Sequence, residues 1–145
     1  MNQGYFRHPT LHGETVVFVC EDDLWSVPLS GGRATRLTAG LGHISHPLFS
    51  PDGRWIAYTG SDDGHQEVYV IPAEGGAPKR LTHFGVAPTR VCGWKPDSSA
   101  VICNSSHRQI LRRMTALYAI SPEGGSPECL DYGMAHHIVW GPNGG

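Results

Sequence analysis

A pair of glycines recurs along this chain at near-constant spacing, each time behind the same kind of apolar strand. Leu24-Trp25-Ser26-Val27-Pro28 stands before Gly31-Gly32, and Val68-Tyr69-Val70-Ile71-Pro72 before Gly75-Gly76. Leu117-Tyr118-Ala119-Ile120-Ser121-Pro122 stands before Gly124-Gly125. The pairs are offset by 44 residues and then by 49. The residues behind each pair recur as well: Arg36-Leu37-Thr38 matches Arg80-Leu81-Thr82 and, more weakly, Cys129-Leu130-Asp131. A turn recurs between the pairs, as Phe49-Ser50-Pro51-Asp52-Gly53, Trp94-Lys95-Pro96-Asp97-Ser98 and Trp140-Gly141-Pro142-Asn143-Gly144. Several motifs returning in fixed order every forty-odd residues demand a repeat architecture.

The stretch from Ile44 to Thr82 shows what one unit is. It holds four short runs of strand-forming residues, each closed by turn chemistry: Ser50-Pro51-Asp52-Gly53, then Asp62-Asp63-Gly64, then Glu74-Gly75-Gly76. Proline presets φ in such turns and glycine accepts positive φ. Val68 to Ile71 is β-branched and aromatic, and no helical period occurs anywhere. Four antiparallel strands in under forty residues, repeated, predict an all-β partial β-propeller. The expected units run from about residue 8 to 38, 44 to 82 and 89 to 131, with the first strand of a fourth in 136–145. Together they make one partial propeller domain over 1–145. Residues up to about His12 read as a lead-in or an outer-strand remnant. A longer connection, Ser105 to Thr115, accounts for the second, larger offset. Three blades leave two apolar sheet faces bare, so the chain is expected to be a piece of a longer protein, or to complete its ring with a second copy.

Charge narrows the functional classes. The formal net charge is −2 and the pI about 6.5, so no basic face invites nucleic acid or anionic lipid. No apolar run is long enough to span a membrane. The opening residues lack a secretion signal, which makes cytoplasm the default expectation. Cys20, Cys92, Cys103 and Cys129 show no close pairing and read as small buried hydrophobes on strands in a reducing compartment. No cofactor motif is present.

Nine histidines raise the question of metal binding. Zinc needs three or four ligands at one point. His43 and His46, three apart on a strand, project to opposite faces, as do the adjacent His136 and His137. His8 and His12 share parity, but four extended residues separate them by roughly 13 Å. Strand and turn histidines are the favoured account, and no metal is expected. Nor is a catalytic residue expected. Gly60-Ser61-Asp62-Asp63-Gly64 has its serine one position early for a nucleophile elbow and sits in a hairpin turn. Glu21-Asp22-Asp23 and Asp62-Asp63 lack the alternating oxygen ligands of a calcium loop and read as turns.

The segment HPTLHGETVVFVCEDDLWSV, His8 to Val27, resembles the opening of the first propeller of the tricorn protease family. LGHISHPLFSPDGRWIAYTG and the later KRLTHFG fit the next blade of that family. The resemblance covers nearly the whole chain. The CEDDLW opening is its more specific part, because the PLFSPDG hairpin is shared with TolB-like propellers. It implies a cytoplasmic, oligomeric serine peptidase acting on short peptides, with this chain as the first half of a six-bladed propeller. That propeller would serve as channel and scaffold, and the remaining blades and the catalytic domains would be its partners. The resemblance also implies an arginine pair that holds the peptide's terminal carboxylate, in the link before the third unit. That link, His83 to Arg90, offers Arg90; the adjacent pair Arg112-Arg113 lies one loop later. Arginine forks suit bidentate capture of a carboxylate, and an exposed solvated loop is the ordinary alternative for all three. Two other readings are a TolB-like protein-binding propeller and the propeller of a prolyl-oligopeptidase-type hydrolase.

Overall fold

The computed structural model describes residues 5–40, 42–62, 64–85, 88–111 and 114–141. Twelve strands form three four-stranded antiparallel meanders among these residues, and no helix occurs. The first sheet orders β1 (Arg7–His12), β2 (Thr15–Cys20), β3 (Asp23–Pro28) and β4 (Thr35–Arg36). The second orders β5 (His43–Phe49), β6 (Trp55–Ser61), β7 (Glu67–Pro72) and β8 (Lys79–Arg80). The third orders β9 (Thr89–Trp94), β10 (Val101–Ser105), β11 (Ala116–Ile120) and β12 (Glu128–Leu130). Strands β1, β5 and β9 adjoin one another in turn, so they are the inner strands of successive propeller blades, and β4, β8 and β12 are the outer edges.

One expectation is corrected here. Residues 7–12 are not a lead-in or an outer remnant but a full inner strand, pairing Thr10 with Val17 and His12 with Thr15. The first unit lacks the Ser-Pro-Asp-Gly turn of its neighbours and turns on Gly13 (φ 55) instead.

The period-2 pattern of the strands sorts side chains onto two faces, and each inter-blade core takes one face from each neighbour. Val17, Val19 and Leu24 of the first sheet pack on Ile44, Ile56, Tyr58, Tyr69 and Ile71 of the second. The alternate residues Ala57, Val68 and Val70 pack on Val91, Trp94, Val101, Cys103, Tyr118 and Ile120 of the third. The middle sheet is therefore buried on both faces, as the unbroken burial of Ile56–Gly60 and Glu67–Ile71 shows. Isoleucines and tyrosines face one way and small residues the other because the facing sheets supply complementary bulk.

The third sheet turns Ile102, Leu117 and Ala119 outward, where Ala135, Ile138 and Trp140 lie on them. Residues 137–140, expected to open a fourth unit, form no strand ladder among the described residues; they lie against the outward face of the third sheet. The Trp140 indole donates to the Trp94 carbonyl at 2.8 Å, just as the Trp94 indole donates to the Leu48 carbonyl at 3.1 Å. Trp94 and Trp140 are equivalent in the repeat, and each indole bonds a carbonyl one repeat earlier, although Leu48 stands one residue before Phe49, the equivalent of Trp94. The segment is pinned further by Asn104 Nδ2 donating to His136 O at 2.8 Å and Thr115 Oγ1 to Ala135 O at 3.1 Å.

The glycine pairs recur because the backbone requires them. Gly31, Gly75 and Gly124 have φ of 86, 94 and 95°, and Gly32, Gly76 and Gly125 have 123, 139 and 113°. Side chains avoid these values, so only glycine closes the hairpin without strain. Ser98 takes the place of Gly53 with φ of 62°, and its hydroxyl accepts from the Asp52 amide of the preceding blade at 3.0 Å.

Candidate functional site

Two buried carboxylates are accounted for by structure alone. Glu67 opens β7 and is fully buried; it accepts from the Thr82 hydroxyl, from Arg80 at 3.3 Å and from the Gly85 amide at 2.8 Å. Thr82 Oγ1 in turn accepts from the Val68 amide at 2.9 Å. Asp23 repeats the arrangement one blade earlier with Arg36, Thr38 at 2.8 Å and Gly40 at 3.2 Å, and Thr38 Oγ1 accepts from the Leu24 amide at 2.9 Å. This is what the recurring Arg-Leu-Thr does: it latches the outer strand to an acid on the strand before it. In the third blade Ala116 replaces the acid, and Cys129 and Asp131 replace the arginine and threonine, so the latch is lost whole. Outer-strand polarity is thus structural, and binding chemistry must be sought at the inner strands and loops.

At the inner strands, the His8 and His46 rings lie against each other with centroids 4.4 Å apart, tilted by 36°. Both sit at irregularities in their ladders, with φ of 50 and 54°, so the simple alternation expected of His43 and His46 does not hold. Burial lowers the His46 ring to a pKa of about 4, with Arg90, His8, His137 and His43 adding to the effect. Burial, then Arg7, His43 and Arg90, lower His8 too. Asp22 lies 2.9 Å from both His43 Nδ1 and Arg7 Nη2, and the hydrogen bonds and charges of His43 and Arg7 hold it below the usual carboxylate range. Sequence reasoning missed this pairing because the two rings come from different repeats. The shared His-Pro dipeptide, His8-Pro9 and His46-Pro47, was the available signal. Among the described residues, no three histidine, cysteine, aspartate or glutamate side chains converge as a metal site.

Of the three candidate arginines, Arg90 lies on β9, exposed, opposite Asn104. Arg112 and Arg113 lie outside the described residues. Arg90 stands beside Thr89, which pairs with Ser105 at the point where the insertion leaves β10. The insertion's first turn builds a cleft of about 440 Å³ with Phe84, His107, Arg108, Tyr118 and Cys129 on its walls. There Phe84 stacks on His107 at 4.2 Å and 11°, and the Tyr118 hydroxyl donates to the His107 carbonyl.

The cysteines divide. Cys103 is buried and Cys92 half-buried, and burial pushes the Cys92 thiol up to about 11 and the Cys103 thiol higher still. Cys129 is exposed, contrary to the expectation of four buried cysteines, because the outer strand β12 has no sheet beyond it. No helix among the described residues is long and apolar enough to cross a membrane.

The comparisons with known proteins agree with this geometry. The family model for the tricorn protease N-terminal β-propeller domain matches residues 3–145. The chain is 43% identical over 139 residues to tricorn protease homolog 1 of Streptomyces coelicolor, which covers 96% of this chain and 13% of that protein. It is 31% identical over 141 residues to a putative tricorn-like protease N-terminal subunit of Sulfurisphaera tokodaii, covering 94% of this chain and 71% of that protein. The crystal structure of the tricorn protease superposes with a TM-score of 0.85 at 32% identity, covering 96% of this chain and 14% of that one. TolB from Acinetobacter baumannii, at 18% identity and a TM-score of 0.73 over 95% of this chain and 35% of that one, shares the fold. The chain thus spans about an eighth of the long curated relatives that it matches. With the repeat, the three radial sheets and the family model in agreement over nearly its whole length, the chain belongs to the tricorn protease N-terminal β-propeller family.

Proposed function

We propose that this chain is the non-catalytic scaffold and channel wall of a cytoplasmic, homo-oligomeric serine peptidase that degrades short peptides. The blades that close the ring, and the groups that cleave the bond, belong to other parts of the parent protein. The observation that carries the reading is the family membership, together with the division of labour within the first two blades. The acid–threonine latch of the outer strands serves stability, while the inner strands and the insertion carry the basic residues that a peptide passing along the axis would meet. In this reading Arg90, Arg112 and Arg113 hold the free carboxylate of the peptide, as the fork geometry of a guanidinium suits. A TolB-like binding propeller is the second reading, favoured by the shared fold at low identity.

Turnover of short peptides with free and with amidated C-termini by the full-length protein tests this. The expected result is hydrolysis in which free-carboxylate peptides are preferred, and in which Arg112→Gln with Arg113→Gln raises KM and leaves kcat in place. Turnover that vanishes on mutating a serine within residues 1–145, or no preference between the two peptide types, overturns it.

A further inference from the structure

Three departures from the repeat meet at one place. The first is in the link behind the second sheet. The Gly85 amide donates to Glu67 as the Gly40 amide does to Asp23, but Gly85 stands further from Thr82 than Gly40 does from Thr38, by one residue. The longer link carries Phe84. The second is the insertion between β10 and β11, whose first turn holds His107 and Arg108. The third is the lost latch. Cys129 pairs with Tyr118 in the register in which Arg80 pairs with Tyr69, so a short thiol stands where the second sheet has a long guanidinium. Phe84, His107, Arg108, Tyr118 and Cys129 line one cleft of about 440 Å³, within the range of small-ligand sites. Insertions in a repeat fold collect on the face that binds, and function is expected where a chain breaks its own local rules.

The walls of this cleft are aromatic and held in place. Phe84 and His107 are stacked at 4.2 Å and 11°, and the Tyr118 ring meets Phe84 at 5.0 Å and 56°. The Tyr118 hydroxyl is committed to the His107 carbonyl, and the His107 amide donates to Ser105 Oγ at 3.2 Å, which ties the turn to the sheet. Arg108 adopts the left-handed conformation, with φ of 57°, and is exposed; it forms no ion pair among the described residues. Ring faces and edges beside an exposed guanidinium are the surroundings that an aromatic ligand prefers.

We propose that this cleft binds a planar aromatic ring, packed on the Phe84, His107 and Tyr118 walls with the Arg108 guanidinium against its face. A free aromatic molecule and the aromatic side chain of a peptide both present that chemistry. Arg108 repels a cationic ligand, and no three metal-ligating side chains converge among the described residues. The proposal stands apart from the peptidase reading, since the cleft holds none of Arg90, Arg112 and Arg113 and asks for no carboxylate.

Titration of the full-length protein with three neutral probes tests this: indole, N-acetyl-tryptophan amide and N-acetyl-cyclohexylalanine amide. Calorimetry reads the binding. Its place is read from the rate at which iodoacetamide alkylates Cys129, located by peptide mapping, because this thiol is exposed on the cleft wall. The expected result is that an aromatic probe binds in about the millimolar range usual for so small a ligand and slows Cys129 alkylation. The cyclohexyl probe binds about fivefold more weakly than the tryptophan amide, the scale of an aromatic contact beyond its area. Arg108→Gln, at an exposed position, weakens aromatic binding about threefold, the scale of an exposed cation–π contact. Phe84→Leu, which keeps an apolar wall without a ring face, weakens it as well. Ala116→Glu with Cys129→Arg and Asp131→Thr rebuilds the latch of the second sheet and abolishes binding. Tighter binding of the tryptophan amide assigns the cleft to a peptide side chain, and tighter binding of indole to a free aromatic molecule. No binding by either aromatic probe, equal affinity for the cyclohexyl probe, unchanged Cys129 alkylation, or affinity indifferent to both Arg108→Gln and Phe84→Leu overturns the proposal. Peptide turnover in the same preparation reports separately on the peptidase reading.

Discussion

Thr82 donates its hydroxyl to the buried Glu67 carboxylate while its own oxygen accepts the Val68 amide, so one side chain closes two buried polar groups at once. Thr38 does the same for Asp23 and Leu24. Once the hydroxyl is gone the buried Val68 amide loses its acceptor, while Glu67 loses one donor and keeps Arg80 and the Gly85 amide.

Thr82→Val keeps the shape and removes the hydroxyl. The expected loss of stability is about 1–3 kcal/mol, the range for leaving buried polar groups unsatisfied. Thr82→Ser restores the hydroxyl and recovers most of it. Urea unfolding reads both, and a valine variant as stable as the parent shows that the latch is ornamental.

The Trp94 indole gives a second prediction. Trp94→Phe keeps an aromatic ring between the second and third blades but leaves the Leu48 carbonyl without its donor. The expected cost is about 0.5–1.5 kcal/mol for one hydrogen bond, against about 3–5 kcal/mol for Trp94→Ala, which also opens a cavity. Equal costs for the two variants, read from urea midpoints, would mean that the ring's packing adds nothing, contrary to the buried position of Trp94.

His46 sets a pH dependence whose sign comes from its surroundings. Its folded-state pKa is about 4, below the ordinary 6.5. Above 6.5 the ring is neutral folded or unfolded, and its contribution is fully present. As the pH falls from 6.5 toward 4, the unfolded chain binds a proton that the folded chain refuses, so stability drops. His8 acts in the same direction. His46→Asn should flatten the fall of the urea midpoint across this window. An unchanged slope would remove His46 as its source.

The blades were legible because turn chemistry and strand alternation are local. Gly-Gly, Ser-Pro-Asp-Gly and Val-Tyr-Val-Ile each state their conformation within five residues, and the repeat multiplies the signal. The first inner strand was obscured because His12-Gly13 replaces the turn that marks its equivalents. The role of Arg-Leu-Thr was readable in principle: the acid at Asp23 or Glu67 accompanies it in two units and disappears with it in the third. The axial histidines were not readable from strand parity, since a bulge at each ring breaks the alternation and the partners belong to different blades. Arg90 was singled out, but its neighbours are set by the arrangement of three sheets and not by anything within its own loop.

An arc of blades has two ends. At the first sheet Phe6, Val16, Phe18 and Val27 line one open apolar face; at the third, Leu117 and the segment that lies on it, with Ile138, Val139 and Trp140, line the other. The interior faces of the same sheets are sealed by a neighbour, so these two are built to receive one. Sedimentation velocity of residues 1–145 across a concentration series tests this most directly. Association that grows with concentration, and that mild denaturant reverses, is the predicted result. A monodisperse monomer with one cooperative unfolding transition would contradict the reading of these sheets as part of a larger ring.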